Sequence, residues 1–232
     1  MILHNGVKIK NLGEIMPAEL GSRLKGLPMM YQRYDAALKE ICTKLEILDS
    51  DFEVTASHNP IHHMASRLKS PKSIRDKMIK YGLEITDENV RDHILDIAGV
   101  RVVCNYIDDI YYISGRLCEQ SDITVVSVKD YIREPKPSGY RSLHIIVKVP
   151  VFLSTKVENI PVEIQFRTVS MDVWASLEHE LRYKSKSVLS EDLQLQLKEN
   201  AVRLAEVDRV FQDISDSIGP EKNESGNKES NP

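Results

Sequence analysis

Glu163, Gln165 and Arg167 alternate with Val162, Ile164 and Phe166. A strand through this stretch turns three polar groups to one face and three apolar ones to the other. A carboxylate, an amide and a guanidinium side by side can hold a metal, take a proton or grip a phosphate. Upstream, Lys129, Tyr140 and His144 flank the proline-braced turn Pro-Lys-Pro-Ser-Gly that contains Lys136 and ends at Gly139. A polar turn carrying cations, with an aromatic directly after its glycine, suits a nucleotide better than a core.

A third group stands earlier in the chain. Arg67 and Lys69 share a strand face, and Ser70-Pro71 reads as an N-cap followed by proline at the first helical position, opening a helix up to Gly82. Ser73 and Lys77 lie one helical turn apart, and the free N–H groups of a helix start carry partial positive charge, so the group could hold a polyphosphate. Each lysine taken alone fits an ordinary solvated surface as well. Asp96 opens a nearly continuous apolar run to Cys104 that contains Arg101 and suits a central strand buried on both faces. A buried arginine needs a partner: either a structural carboxylate, or a ligand ring on which it stacks, leaving Asp96 for a hard cation. The two residues have opposite strand parity. They share a site only if Asp96 precedes the regular strand or Gly99 bulges it. His144 joins the polar face only if its strand pairs in register, and a lone strand histidine is more often structural.

These groups need elements to carry them. From Pro28, Tyr31, Tyr34, Leu38, Ile41, Leu45, Leu48 and Phe52 recur at spacings of three and four, the pattern of a long amphipathic helix. Its seam fits this protein's own sheet and a partner helix equally well. Thr86 caps a short helix through His93, and residues 108–119 read as another. Strands are predicted at 59–69 after a turn, at 123–131, at 142–149 with Pro150 as the stop, and at 157–168. A helix over 169–183 has Trp174, Leu177 and Leu181 as core candidates. Ser190 caps a last long helix, where Leu193, Leu197, Leu204, Val207, Phe211, Ile214 and Ile218 approach a heptad seam interrupted by Asn200. The expected fold class is α+β, a mixed central β-sheet flanked by helices. Residues 28–218 form one unit, with an N-terminal arm over 1–27 and a disordered polar tail over 219–232.

The 232 residues suffice for one sizeable core, and a net charge of −4 argues against a dedicated nucleic-acid or membrane-surface binder. No apolar run approaches the roughly 18 residues of a membrane span, and a secretory signal is not evident, so a cytoplasmic protein is expected. Cys42, Cys104 and Cys118 are odd in number and widely spaced, which predicts reduced thiols.

Four ordered blocks carry a resemblance. They are Asn-Pro-Ile-His-His-Met-Ala-Ser-Arg-Leu-Lys-Ser from Asn59, Asp-Ile-Ala-Gly-Val-Arg from Asp96, Asp-Tyr-Ile-Arg-Glu-Pro-Lys-Pro-Ser-Gly-Tyr-Arg-Ser-Leu-His from Asp130, and Val-Glu-Ile-Gln-Phe-Arg-Thr from Val162, followed by Trp-Ala-Ser-Leu-Glu-His. Together they resemble the synthetase domain of the RelA/SpoT homologue family, most closely its stand-alone small alarmone synthetases, over residues 59–184. The resemblance implies a nucleotidyltransferase-like fold. It also implies transfer of the pyrophosphoryl group of ATP to the ribose 3′-hydroxyl of GDP or GTP, giving (p)ppGpp and AMP in the bacterial stringent response. It further implies that Arg67 and Arg101 sandwich adenine, that Lys69, Ser73 and Lys77 hold the ATP phosphates, and that Asp96 and Glu163 bind Mg²⁺, with Glu163 also the general base. Tyr140 would stack on guanine, Lys129, Lys136 and His144 would lie toward the acceptor's phosphates, and Gln165 would line the same cleft. Where many relatives carry Asn facing the guanine, this chain has Asp172, whose carboxylate could accept from both guanine N1–H and N2–H₂.

The family's bifunctional members add a hydrolase domain with His-Asp motifs; this chain contains no His-Asp dipeptide, and hydrolase activity is not expected. Related small synthetases are tetramers, so a homo-oligomer built on both long helices is expected. Single-stranded RNA, bound by some relatives, is a partner the net charge does not support. Two rival readings use the same blocks: a nucleotidyltransferase acting on RNA ends, and a catalytically silent binding module. The presence of both Asp96 and Glu163 speaks against the second.

Overall fold

The computed structural model describes residues 2–4, 26–56, 58–184 and 189–218. Its strands are β1 (Ile2–His4), β2 (Ile61–Leu68), β3 (Ala98–Cys104), β4 (Thr124–Asp130), β5 (Leu143–Phe152) and β6 (Val157–Thr168). They form one sheet in the order β1-β2-β3-β6-β5-β4. β1 pairs with β2 and β3 with β6 in parallel, while the other neighbours are antiparallel, so the sheet is mixed and the class is α+β. The helices among the described residues are α1 (Leu27–Thr55), α2 (Pro71–Lys80), α3 (Asp87–His93), α4 (Ile107–Cys118), α5 (Val169–Lys184) and α6 (Glu191–Ile218). None is long and apolar enough to cross a membrane.

Period-2 alternation decides the two faces of the sheet. Val100 and Val102 of β3, Val162, Ile164 and Phe166 of β6, and Leu143, Ile145 and Val147 of β5 are buried on one face. α1 lies across that face, in contact with β2, β3, β5 and β6. Leu38, Ile41 and Leu45 are at most 6% exposed, so the seam that suited sheet and partner helix equally is internal. Burial on the sheet removes that face of α1 from any subunit contact. Two caps form as their residue types predict: Ser70 Oγ accepts from the Ser73 N–H and Thr86 Oγ1 from the Asn89 N–H.

Three expectations change in the folded chain. Pro150 does not end its strand but sits inside β5, opposite Asn159 of β6 and past the point where β4 stops pairing at Lys148. One side of β5 is open there, and a residue without an N–H is tolerated. Trp174 is buried, but Leu177 and Leu181 are 54% and 49% exposed, because Met171, Trp174 and Ala175 set the inward face of α5. In α6 the inward face is Leu197, Ala201, Leu204, Ala205 and Asp208, whereas Leu193, Val207, Phe211, Ile214 and Ile218 of the expected seam stand exposed. Of the N-terminal arm only the short edge strand β1 and residues 26–27, where α1 begins, are among the described residues, and the tail over 219–232 falls outside them entirely.

Candidate active site

Register brings the polar face together. Gly99 of β3 lies between Arg67 of β2 and Glu163 of β6, and in the next row Ala65, Arg101, Gln165, His144 and Lys129 stand side by side across five strands. The only shift in the β2–β3 ladder lies at Ile61/His63, far from Gly99, and β3–β6 pairs without one, so Gly99 does not bulge; Asp96 reaches the face because it precedes the strand, as one of the two geometries required. A cavity of about 230 Å³ opens here, lined by Arg67, Asp96, Gly99, Arg101, Glu163 and Gln165 among others. The missing side chain at Gly99 keeps its floor open between Arg67 and Glu163.

At one end, Asp96 Oδ2 lies 2.9 Å from the Nζ of both Lys69 and Lys77. Burial pushes the Asp96 carboxyl up, but the two ammonium groups outweigh it and hold the group below the ordinary aspartate value. Asp96 Oδ1 is buried without a hydrogen-bond partner. A buried carboxylate oxygen left unpaired beside a second carboxylate suits a hard divalent cation that also takes phosphate oxygens. Lys69 is held at its backbone: its N–H donates to Ile97 O and its carbonyl accepts from the Tyr31 hydroxyl of α1. Ser73 is turned to the helix cap, its Oγ 2.8 Å from Ser70 Oγ.

At the other end, five side chains close a hydrogen-bonded ring. Arg167, only 5% exposed, donates from one nitrogen to Tyr140 Oη (2.8 Å) and Gln165 Oε1 (3.1 Å). Gln165 Nε2 donates to Glu163 Oε2 at 2.8 Å, Glu163 Oε1 lies 3.3 Å from His144 Nδ1, and His144 Nε2 lies 2.7 Å from Tyr140 Oη. Guanidinium only donates, so the tyrosine hydroxyl accepts from Arg167; with its own hydrogen given to His144 Nε2, the imidazole would turn an Nδ1–H to the carboxylate. Burial raises the Glu163 carboxyl, and the His144 and Gln165 contacts overcome it, leaving the group below its ordinary value and ionised at neutral pH.

α5 folds back so that Asp172 Oδ1 meets both Arg167 (3.0 Å) and Arg101 (3.1 Å). Of the two partners open to Arg101, a structural carboxylate is therefore present. The turn after β4 is held by α6: a Cβ on Gly139, whose φ is +92°, would come within 2.5 Å of the Ala201 Cβ, and Trp174 Nε1 donates to Leu197 O at 2.9 Å. Lys136 Nζ sits 4.4 Å from the Tyr131 ring centre and 4.8 Å from that of Tyr140. Lys129 stands exposed on the edge strand β4, and no ion pair reaches it among the described residues. Two contributors had no assigned role from sequence. Arg167 shares parity with Glu163 and Gln165 and was legible as a member of that face; Tyr131 carried no signal.

Comparisons with known proteins show the family. A family model described as a region found in RelA / SpoT proteins matches residues 66–188. The chain is similar to the GTP pyrophosphokinase YwaC of Bacillus subtilis, with 46% identity over 72% of this chain and 80% of that one. It is similar to YjbM of the same organism, also a GTP pyrophosphokinase, at 32% identity over 80% and 86%. Among solved structures, the small alarmone synthetase 2 of B. subtilis superposes with a TM-score of 0.73 at 42% identity, covering 80% of this chain and 97% of that one. The small alarmone synthetase 1 of that organism, bound to its product pppGpp, gives 0.78 at 31% identity over 84% and 98%.

Proposed function

This chain belongs to the RelA/SpoT family, and from that premise we propose that it is a GTP pyrophosphokinase of the small alarmone synthetase kind. It joins the β-phosphorus of ATP to the 3′-oxygen of GDP or GTP. The bond to the bridging oxygen of the α-phosphate breaks, AMP leaves, and the hydroxyl proton passes to Glu163. The observation that carries this reading is the Glu163 carboxylate, ionised and held at both oxygens beside an open cavity. A secondary alcohol is a poor nucleophile at neutral pH, so a fixed carboxylate within hydrogen-bond reach is what the reaction needs.

Arg67 and Arg101 border the cavity where adenine would stack, and Lys69 and Lys77 are placed to exchange Asp96 for phosphate oxygens. Ser73 stays near those phosphates at the start of α2. Asp96 and Glu163 would hold Mg²⁺, which would offset the charge of the transferred group. Tyr140, with Lys136 beside it, offers a ring for guanine, and His144 and Lys129 extend toward the acceptor's phosphates. Asp172 would reach the guanine edge only by sharing its charge with the two arginines already bound to it. Incubation with ATP, Mg²⁺ and GDP or GTP, followed by nucleotide separation, should give AMP and a 3′-pyrophosphorylated guanosine nucleotide in equal amounts. An unchanged guanosine nucleotide would refute the reading.

A cytoplasmic homo-oligomer, a tetramer as in related synthetases, is part of the same proposal, with the α6 face now its only supporting seam. Val207, Val210, Phe211, Ile214 and Ile218 form an exposed apolar stripe on that helix. Light scattering should report an oligomer that Phe211→Glu with Ile214→Glu breaks into smaller, folded particles. A monomeric wild type at micromolar concentration would end it.

A further inference from the structure

A larger cavity, about 520 Å³, lies on the helix-covered side between α1, α3 and the β5–β6 hairpin. It shares no lining residue with the cavity at Asp96. Its volume is in the range of small-molecule sites, about 300–1,000 Å³. Two of its lining groups are unsatisfied. Tyr34 is 2% exposed, yet its hydroxyl has no hydrogen-bond partner, and Asp87 Oδ1 is buried without one, although Oδ2 accepts from the Gly26 N–H. Such groups are rarely left unpaired in a folded interior, and both residues line this cavity, which points to an occupant.

Charge and shape narrow what that occupant is. Arg33 and Lys156 both pair with Glu158, whereas no carboxylate reaches Arg91 among the described residues. Arg91 nonetheless lies near enough to the Tyr34 hydroxyl to work against the burial that pushes its pKa up to about 12. Met29, Met30, Ile160 and Pro161 supply apolar wall. We propose that this cavity binds a small phosphate monoester whose organic part carries hydrogen-bond donors: donors meet Asp87 Oδ1, an acceptor meets Tyr34 Oη, the body lies against the methionines, and the phosphate takes Arg91 and Arg33. Inorganic phosphate would use only the cations, and an apolar ligand would leave the polar atoms unpaired. The site adjoins the machinery described above, since α3 runs from Asp87 to within three residues of Asp96 and the Tyr34 hydroxyl also feels the Asp96 charge.

Methionine methyl NMR on the full chain reads the site directly, because Met29 and Met30 line it and can be assigned by Met29→Leu and Met30→Leu. The probes are AMP and glucose 6-phosphate, with inorganic phosphate and adenosine as controls. At least one ester should shift both methyl signals saturably. Arg91→Ala should weaken that binding about tenfold or more, as expected on losing a charge-assisted hydrogen bond. Tyr34→Phe should weaken it severalfold while melting no lower than wild type, because it removes an unpaired buried hydroxyl. The proposal falls if neither ester moves these signals at millimolar concentration, if inorganic phosphate moves them equally, or if Arg91→Ala leaves the titration unchanged. The readout does not depend on pyrophosphoryl transfer, so its failure and the failure of the proposed function are separable.

Discussion

At Asp96, one carboxylate oxygen holds two lysine ammonium groups and the other holds nothing; at Arg167, every side chain is bonded to the next around a closed ring. The first arrangement is made of partners that can be exchanged. On the proposed reading, Lys69 and Lys77 would leave Asp96 for a phosphate, and its unpaired oxygen would take a cation. The second closes on itself, with only the guanidinium Nε of Arg167 left over, and it holds the tyrosine ring and the carboxylate in place. One end of the site is poised by charge, the other by geometry. Glu163 belongs to both, because it lines the cavity and closes the ring.

Glu163→Gln therefore has the largest expected effect. Turnover should fall by about 10² or more, as on losing a general base, while titrations with GDP and a non-hydrolysable ATP analogue stay near wild type. Comparable turnover in the variant would remove Glu163 from the reaction and leave the ring without a catalytic purpose.

Arg167→Met opens the ring at its buried anchor and leaves Asp172, Tyr140 and Gln165 short of a donor. A loss of about 2–4 kcal/mol is expected in denaturant unfolding, since removing one partner strands buried polar groups. Guanine nucleotide binding should weaken more than ATP binding. Equal weakening of both ligands would mean that the ring does not belong to one end of the site.

His144→Gln tests the tautomer argument at smaller cost. The histidine contact is among the causes holding the Glu163 carboxyl low, so its loss should raise that pKa and move the acidic limb of kcat/KM to higher pH. Tyr140→Phe should shift the limb in the same direction, with the KM for GDP changed little because the ring remains. An acidic limb that stays in place in both variants would break the link from Arg167 to the base.

The smallest effect belongs to the exchangeable end. The folded Asp96 pKa is depressed, so its ion pairs contribute stability that is complete above the unfolded aspartate value, about 3.9, and is lost as pH falls through the folded value. Lys77→Met should lower the melting temperature slightly at pH 7 and flatten its decline toward pH 3. A decline as steep as in the wild type would mean that Lys69 alone holds the carboxylate.

Much of the site was legible because its signals are local. Alternation put Glu163, Gln165 and Arg167 on one face, Ser70 and Thr86 announced their helices through cap chemistry, and the ordered blocks pointed to the family that the comparisons then showed. What sequence could not decide was pairing. Period 2 says which residues share a face but not which strand lies alongside, so the meeting of His144 with Gln165, and of Gly99 with Glu163, came only with the register of the sheet. The same limit governed the long helices. A regular apolar seam shows that a helix needs a partner without saying what it is. Tertiary packing put the α1 seam inside, turned Leu177, Leu181 and Phe211 outward, and gave α6 a different inward face, where the small Ala201 admits the Gly139 turn. The vacant polar atoms of Tyr34 and Asp87 belong to that second class: both residues look ordinary in the chain, and only the approach of α1, α3 and the β5–β6 hairpin buries them around a common space.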